Sequence, residues 1–123
     1  MSEKLFSLQT DFYIGLVNKT NNAIPRGAAI KDLVFIFGKH GFDSFTVTDT
    51  TGFWKGEEEP ALKVTLVQSH EGAPPTSEEQ MNLAETADKL GENLRMNFYQ
   101  ESVLVVHSEV AGRLIGGSDE KVA

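Results

Sequence analysis

Cysteine is absent from this chain of 123 residues. A protein without cysteine has no disulfide framework, no thiolate nucleophile and no zinc site of the cysteine type. The three histidines, His40, His70 and His107, lie too far apart in sequence to form a short-spaced pair of metal ligands. We therefore expect no metal site, and the lack of cysteine is compatible with a reducing cytoplasm.

Long apolar runs are also missing. No segment approaches the roughly 18 consecutive apolar residues that a membrane-spanning helix needs, and residues 1–10 lack the apolar core of a signal peptide. We expect a cytoplasmic protein without a membrane partner. The apolar content of 40% is ordinary for a globular protein, and the length suits one domain, which we place at residues 1–115.

Arginine is scarce. Arg26, Arg95 and Arg113 are far apart in sequence, and the net charge is −7. Nucleic-acid binders need clustered lysine and arginine for phosphate contacts, so we expect no nucleic-acid partner. The chain also lacks a GxSxG nucleophile elbow, a phosphate-binding P-loop and a GxGxxG dinucleotide motif. The candidates that remain for chemistry are carboxylates and aromatic side chains.

Six segments with regular hydrophobic spacing follow one another along the chain. Alternating apolar residues predict strands, and apolar residues three or four apart predict helices. The predicted strands are residues 5–17, 43–54, 61–69 and 103–106, and the predicted helices are Arg26–His40 and Ser77–Phe98. This β-α-β-β-α-β order predicts an α+β fold of the ferredoxin-like class, with a four-stranded antiparallel sheet and both helices on one face.

The second helix has the clearest boundaries. Either Thr76 with Glu79 or Ser77 with Gln80 offers a capping box at its start, after a linker at residues 71–75. Its predicted apolar stripe consists of Leu83, Ala87, Leu90, Leu94 and Phe98. The segment 116–123 is small and polar, and we expect it to be a flexible tail.

One face of the predicted sheet lacks a covering layer. Residues 103–106 form an apolar run without alternation, which is typical of a strand covered on both faces. Together with the apolar residues of the first strand, this run supplies more apolar side chains than one layer of helices covers. An uncovered apolar face predicts that the protein forms an oligomer.

The segment 48–66 is a candidate binding loop. The aromatic pair Phe53 and Trp54 comes a few residues before the carboxylates Glu57, Glu58 and Glu59, and Pro60 is expected to end the loop before the next strand. An aromatic face beside a carboxylate suits a flat or cationic small molecule. The alternative is a solvated hairpin with a packed tryptophan.

Five short blocks in this chain resemble, in the same order, the phage-encoded S-adenosylmethionine (SAM) lyases, formerly called SAM hydrolases. Together they extend from about residue 10 to residue 115. The blocks are Phe12-Tyr13-Ile14, Thr48-Asp49-Thr50-Thr51-Gly52-Phe53-Trp54, Glu59 before an alternating strand, Gln100-Glu101-Ser102-Val103-Leu104-Val105, and Ala111-Gly112-Arg113-Leu114-Ile115.

The resemblance implies a PII-like ferredoxin fold that assembles as a trimer with active sites between subunits. It implies cleavage of SAM to 5′-methylthioadenosine and homoserine lactone, without a cofactor. In this reaction the carboxylate of the substrate attacks its own γ-carbon and expels a neutral thioether. The protein needs only to fold the substrate into a reactive geometry and to exclude water.

The resemblance also implies site residues. Glu59 corresponds best to the key glutamate of the family, although Glu57 and Glu58 leave the register open, and Glu101 is a supporting acid. Tyr13, Phe53 and Trp54 are the expected substrate contacts. The family has a tyrosine where this chain has Trp54, which removes a hydroxyl, and the loop is shorter here.

Three hypotheses therefore stand. The first is a SAM lyase that protects a phage in the bacterial cytoplasm by depleting the methyl donor of host restriction enzymes. The second is a PII-like protein that senses or sequesters a nucleotide-like ligand without turnover, which the missing hydroxyl favours. The third is an acidic interaction protein without a small-molecule site.

Overall fold

The predicted order of strands and helices is confirmed by a computed structural model, which describes residues 4–71 and 75–115. The elements are β1 (Lys4–Gly15), α1 (Arg26–Lys39), β2 (Thr46–Trp54), β3 (Glu57–Glu71), α2 (Ser77–Asn97) and β4 (Leu104–Arg113). All strand pairs are antiparallel, in the spatial order β2-β3-β1-β4. This is the ferredoxin-like topology. The expected tail at 116–123 and the linker residues 72–74 lie outside the described residues.

Side chains alternate along β1 as the sequence predicts. Leu8, Phe12 and Ile14 are buried against the helices, whereas Gln9 and Tyr13 lie on the opposite face. A register shift between Phe6 and Leu8 interrupts the pairing of β1 with both of its neighbours. We call the sheet face without helices the open face.

The open face differs from the apolar face that the sequence predicted. The apolar side chains of β1 that suggested it are directed toward the helices, and so are Val103 and Val105, which pack against the core. Most of the described residues of the open face are polar, and its exposed large apolar side chains are those of Trp54, Val67, Leu104 and Val106. The open face therefore has fewer exposed apolar side chains than the sequence predicted.

β4 is an edge strand of ten residues rather than a four-residue strand covered on both faces. Among the described strands it pairs only with β1, and Leu104 is 62% exposed and Val106 38% exposed on the open face. Val105, between them, packs against the core. The run of valine and leucine concealed this alternation because every side chain in it is apolar.

The prediction of a loop that ends at Pro60 is wrong. β3 begins at Glu57, so only Lys55 and Gly56 separate it from β2. Both residues have positive φ, at 52° and 82°, as a tight two-residue hairpin turn requires. The sequence did not indicate this hairpin because lysine at the first turn position is an uncommon signal and three successive glutamates are poor strand formers.

Pro60 lies inside β3 without disrupting it. In a strand, the N and O atoms of one residue point toward the same neighbour. The Pro60 carbonyl accepts a hydrogen bond from the Leu16 N–H at 2.9 Å, so the missing proline N–H also points toward the β1 side. Because β1 ends at Gly15, no residue of that strand needs the missing N–H as a partner. The pairing of β3 with β2 is on the other side of Pro60 and is unaffected.

The two helices cover the opposite face and complete the core. Phe37 of α1 meets Phe12 of β1 edge to face, with ring centroids 5.9 Å apart. α2 buries Ala87, Leu90 and Leu94, as its predicted stripe required. None of the helices in the described part of the chain is long and apolar enough to cross a membrane.

α2 begins with a complete capping box, formed by Thr76 and Glu79 rather than by Ser77 and Gln80. The Thr76 hydroxyl accepts from the Glu79 N–H at 3.1 Å, and Glu79 accepts from the Thr76 N–H at 2.9 Å. Glu79 Oε2 also lies 2.8 Å from His70 Nε2. The backbone hydrogen bond from Thr76, followed by the bond with His70, lowers the pKa of Glu79 to about 2.

We predict that Gly91→Ala destabilises the fold whereas Gly38→Ala does not. A Cβ at Gly91 would lie 2.9 Å from Val105 Cγ2, and a Cβ at Gly38 in α1 would meet nothing within 4 Å. Alanine favours a helix by up to about 1 kcal/mol over glycine, but overpacking a core costs about 1–3 kcal/mol. Chemical denaturation should show a lower free energy of unfolding for Gly91→Ala and an equal or higher one for Gly38→Ala. Equal stabilisation by both would contradict this account.

Glu79 should also make stability depend on pH in the acid range. The pKa of Glu79 in the folded state is below the ordinary carboxyl value. Its contribution to the stability of the fold is therefore complete above about pH 4.5 and is lost as the pH falls toward 2. The stability difference between the parent and Glu79→Gln should therefore shrink over that interval. Glu78→Gln, which removes the same charge from the same turn, serves as the control. Denaturation curves measured from pH 7 to pH 2 test this, and a difference that stays constant would refute it.

Candidate functional site

A cavity of about 680 Å³ lies beside the β2–β3 hairpin, where β1 ends. Three parts of the chain line it: the end of β1 with the following loop, the hairpin, and the segment between α2 and β4. Every residue that the sequence singled out for a site role is among the lining residues: Tyr13, Phe53, Trp54, Glu59 and Glu101. The fold thus brings together residues that are up to 88 positions apart in sequence.

Glu59 is the acid that the fold encloses most. It is half-buried, whereas Glu57 and Glu58 are exposed. It pairs with Gly52 of β2, and its carboxylate lies against Gly15 of β1. Of the three consecutive glutamates, Glu59 therefore has the most defined position.

Strand alternation separates the residues of the hairpin into two groups. Trp54 pairs with Glu57, and both lie on the same face as Glu59. Phe53 pairs with Glu58, and alternation directs both side chains to the other face, where Phe53 borders the cavity with 70% of its surface exposed. A ligand on the open face would therefore meet Trp54 more readily than Phe53.

Trp54 and Tyr13 are the aromatic residues of the open face at this cavity. Trp54 is 47% exposed, so it is not the packed core tryptophan of the solvated-hairpin alternative. Tyr13 is half-buried between Lys63 of β3 and Leu104 of β4, its partners across the sheet. Both rings therefore have free surface for a flat ligand.

Gln100 is a functional candidate to which sequence reasoning assigned no role. It is 6% exposed and lines the cavity. Its Oε1 accepts from the Gly15 N–H at 3.2 Å, and its Nε2 donates to the carbonyls of Phe98 and Val17 at 3.2 and 3.4 Å. A glutamine that replaces strand hydrogen bonds in this way cannot be recognised from spacing, because two of its main-chain partners, Gly15 and Val17, are distant in sequence.

Tyr99 joins the loop that precedes Glu101 to the loop that follows β1. It has a positive φ of 51°, and its carbonyl accepts from the Lys19 N–H at 2.9 Å. The side chain of Lys19 lies over the Tyr99 ring, 4.3 Å from its centroid. These contacts join the two loops that border the cavity, and the exposed Glu101 stands at the edge between them.

The charge around the cavity is predominantly negative. Four carboxylates line it, Glu57, Glu58, Glu59 and Glu101, against two lysines, Lys19 and Lys55. A negative cleft raises the local concentration of cationic ligands. In residues 4–71 and 75–115 the structure contains no group of three or more histidine, aspartate or glutamate side chains that could hold a metal ion.

A second polar network lies on the helix side of the sheet. His107 is hydrogen-bonded through Nδ1 to the Thr10 hydroxyl at 2.9 Å and through Nε2 to Asp88 at 2.8 Å. The hydroxyl, imidazole and carboxylate are of the types found in a catalytic triad. Thr10, however, is completely buried, so no substrate can reach its hydroxyl. The network instead joins β1, β4 and α2.

Comparisons with known proteins identify the fold. No protein-family model matches the chain, and a search of curated proteins gave no match. Among solved structures, a phage SAM lyase in its apo state matches with a TM-score of 0.67 at 19% identity, covering 87% of this chain and 85% of that one. A phage SAM lyase in complex with S-methyl-5′-thioadenosine matches with a TM-score of 0.60 at 19% identity, covering 85% and 84%. The chain therefore has the fold of the phage SAM lyase structures.

Proposed function

We propose that this protein is a SAM lyase, which cleaves SAM to 5′-methylthioadenosine and homoserine lactone. The observation that carries the proposal is the cavity, which gathers Tyr13, Trp54, Glu59 and Glu101 on the fold of a phage SAM lyase. A related structure holds S-methyl-5′-thioadenosine, which is a product of this reaction.

The reaction suits a site that consists of carboxylates and aromatic rings. An oxygen of the substrate carboxylate attacks the γ-carbon, the bond between that carbon and sulfur breaks, and the electron pair stays on sulfur. The products are the neutral thioether and the lactone, so the protein supplies no nucleophile and no proton. Its contribution is to hold the carboxylate close to the γ-carbon, a positional effect worth up to about 7–11 kcal/mol in well-oriented intramolecular reactions.

Charge decides where Glu59 can act. The positive charge on sulfur disappears as the bond breaks, so a carboxylate close to sulfur would stabilise the substrate more than the transition state and would slow the reaction. We therefore propose that Glu59 binds the ribose hydroxyls or the α-ammonium group. The hydroxyls stay neutral and the ammonium group keeps its positive charge throughout the reaction. Trp54 and Tyr13 would stack against the adenine, where base–aromatic contacts contribute about 1–3 kcal/mol each.

The decisive experiment compares Glu59→Gln with Glu57→Gln. Purified protein is incubated with SAM, and 5′-methylthioadenosine is measured by mass spectrometry. Loss of a charged contact in a desolvated site costs about 1–3 kcal/mol or more, so Glu59→Gln should reduce turnover at least roughly tenfold with the fold intact. Glu57→Gln should retain most of the activity because Glu57 is exposed.

The other outcomes separate the alternatives. If Glu57→Gln has the larger effect, the acid is misassigned by two positions. SAM binding without product would support a PII-like sensing or sequestering protein, which the absence of a tyrosine hydroxyl at Trp54 favours. Neither binding nor turnover would leave an acidic interaction protein. If the lyase activity is found, a phage would benefit because SAM is the methyl donor of host restriction–modification enzymes in the cytoplasm.

We further propose that the protein is a homotrimer with the cavity between subunits. The cavity opens on the open face, where Val67, Leu104 and Val106 are exposed, and a neighbouring subunit would cover these residues and exclude water from the ligand.

A charge on that face should prevent assembly. Val106→Glu is expected to give monomers and to abolish turnover, because an unpaired carboxylate would be buried in the interface. Val34→Glu, at an exposed position in α1, should leave the assembly unchanged. Sedimentation velocity at micromolar concentration measures the oligomeric state of both variants and of the parent protein. A monomeric parent protein would refute the trimer.

A further inference from the structure

Gly15, the last residue of β1, occupies a position where a side chain would collide with the carboxylate of Glu59 as it lies in this structure. A Cβ there would overlap Oε1 of Glu59, and it would lie 3.4 Å from Cδ of Glu59 and 3.2 Å from Oε1 of Gln100. The carboxylate of Glu59 thus fills the volume that the first atom of any side chain at position 15 would take.

The backbone does not require glycine at this position. Gly41 and Gly56 have positive φ, whereas Gly15 continues the strand and pairs with Ala61 of β3. Glycine inside a strand is unfavourable unless another group approaches the backbone closely. Here the approaching group is the Glu59 carboxylate.

The neighbouring strand shows that this close approach is specific to Gly15. Gly52 lies directly opposite Glu59 in β2, yet a Cβ at Gly52 would make only ordinary contacts, at 3.7 Å from the Cβ of Ala61 and 3.9 Å from the Glu59 carbonyl. Glu59 is therefore packed against β1 and not against β2.

Gln100 keeps the surface below the carboxylate in place. It accepts a hydrogen bond from the Gly15 N–H and donates to the carbonyls of Val17 and Phe98. The oxygens of Gln100 and Glu59 are both adjacent to the vacant Cβ position of Gly15. Two acceptors that converge in this way suit a ligand that donates hydrogen bonds.

We infer that Gly15 is a positioning residue: the absence of its side chain lets Glu59 lie withdrawn against β1 and thereby determines how far the acid extends into the cavity. A methyl group at position 15 pushes the carboxylate outward by rotation of the Glu59 side chain. The strand itself stays in place, since the overlapping atom is the end of a flexible side chain. For its effect on turnover, this inference rests on the proposed lyase function.

The test is Gly15→Ala, with Gly112→Ala as the matched control. Gly112 is also a strand glycine, in β4, and a Cβ there would meet nothing within 4 Å. Two measurements are made on each variant: 5′-methylthioadenosine production, and the NMR signal of the Glu59 side-chain carboxyl carbon, assigned with Glu59→Gln. Circular dichroism and melting temperature report whether the fold is retained.

Gly15→Ala should shift the Glu59 carboxyl signal and reduce turnover roughly tenfold, with an unchanged or higher melting temperature. Gly112→Ala should alter neither. In the Glu59→Gln background, Gly15→Ala should have little further effect on turnover, because both changes act through the same carboxylate. A merely structural role of Gly15 would not produce this non-additivity.

The failure of this inference is distinguishable from failure of the proposed function. If the parent protein neither binds nor cleaves SAM, the lyase proposal fails, and the carboxyl signal still decides the role of Gly15. An unchanged Glu59 signal in Gly15→Ala would overturn the inference. So would parent-like turnover in Gly15→Ala if the parent is active.

Discussion

Side chains along β1 alternate between the hydrophobic core and the open face, and the position of every other part of the domain depends on this alternation. Phe12 and Ile14 are completely buried, whereas Asp11 and Tyr13 face the other way. A shift of one residue would exchange the two sets. Burying one large apolar side chain contributes about 1.5–3 kcal/mol. Moving several of them to the surface would therefore cost a free energy comparable to the roughly 5–15 kcal/mol by which a typical domain is stable. The core therefore holds the cavity residues in register.

The two helices and β1 could be predicted from sequence because their signals are local. Leu90 and Leu94 lie one turn apart on α2, and the capping box at Thr76 marks its start, so neither depends on knowledge of distant residues. The extent and the buried face of the outer strand β4 could not be predicted in this way. β4 has apolar residues on both faces, and which of them is buried depends on the position of α2, as the contact between Gly91 and Val105 illustrates.

The site was predictable in residue type more than in geometry. Aromatic and acidic residues at 53–59 indicated a binding region, but their division into two faces depends on the two-residue turn, which the sequence did not indicate. Tyr13 and Glu101 were candidates as an aromatic and an acidic residue, and both lie in blocks that resemble the SAM lyases. The resemblance did not assign a role to Gly15, because a glycine that is needed for the space it leaves empty has no side chain to suggest chemistry. In the folded protein that space is filled by the carboxylate of Glu59.

The two-residue turn at Lys55 and Gly56 also limits how the hairpin can change during evolution. If one residue were inserted and absorbed by β3, the parity of that strand would reverse, and Glu58 would replace Glu59 on the open face. Two inserted residues would lengthen the hairpin and keep the parity. Viable length variants of this hairpin should therefore differ by even numbers of residues, unless a β-bulge compensates for an odd one. A comparison of sequences aligned without regard to parity would place the wrong acid in the cavity.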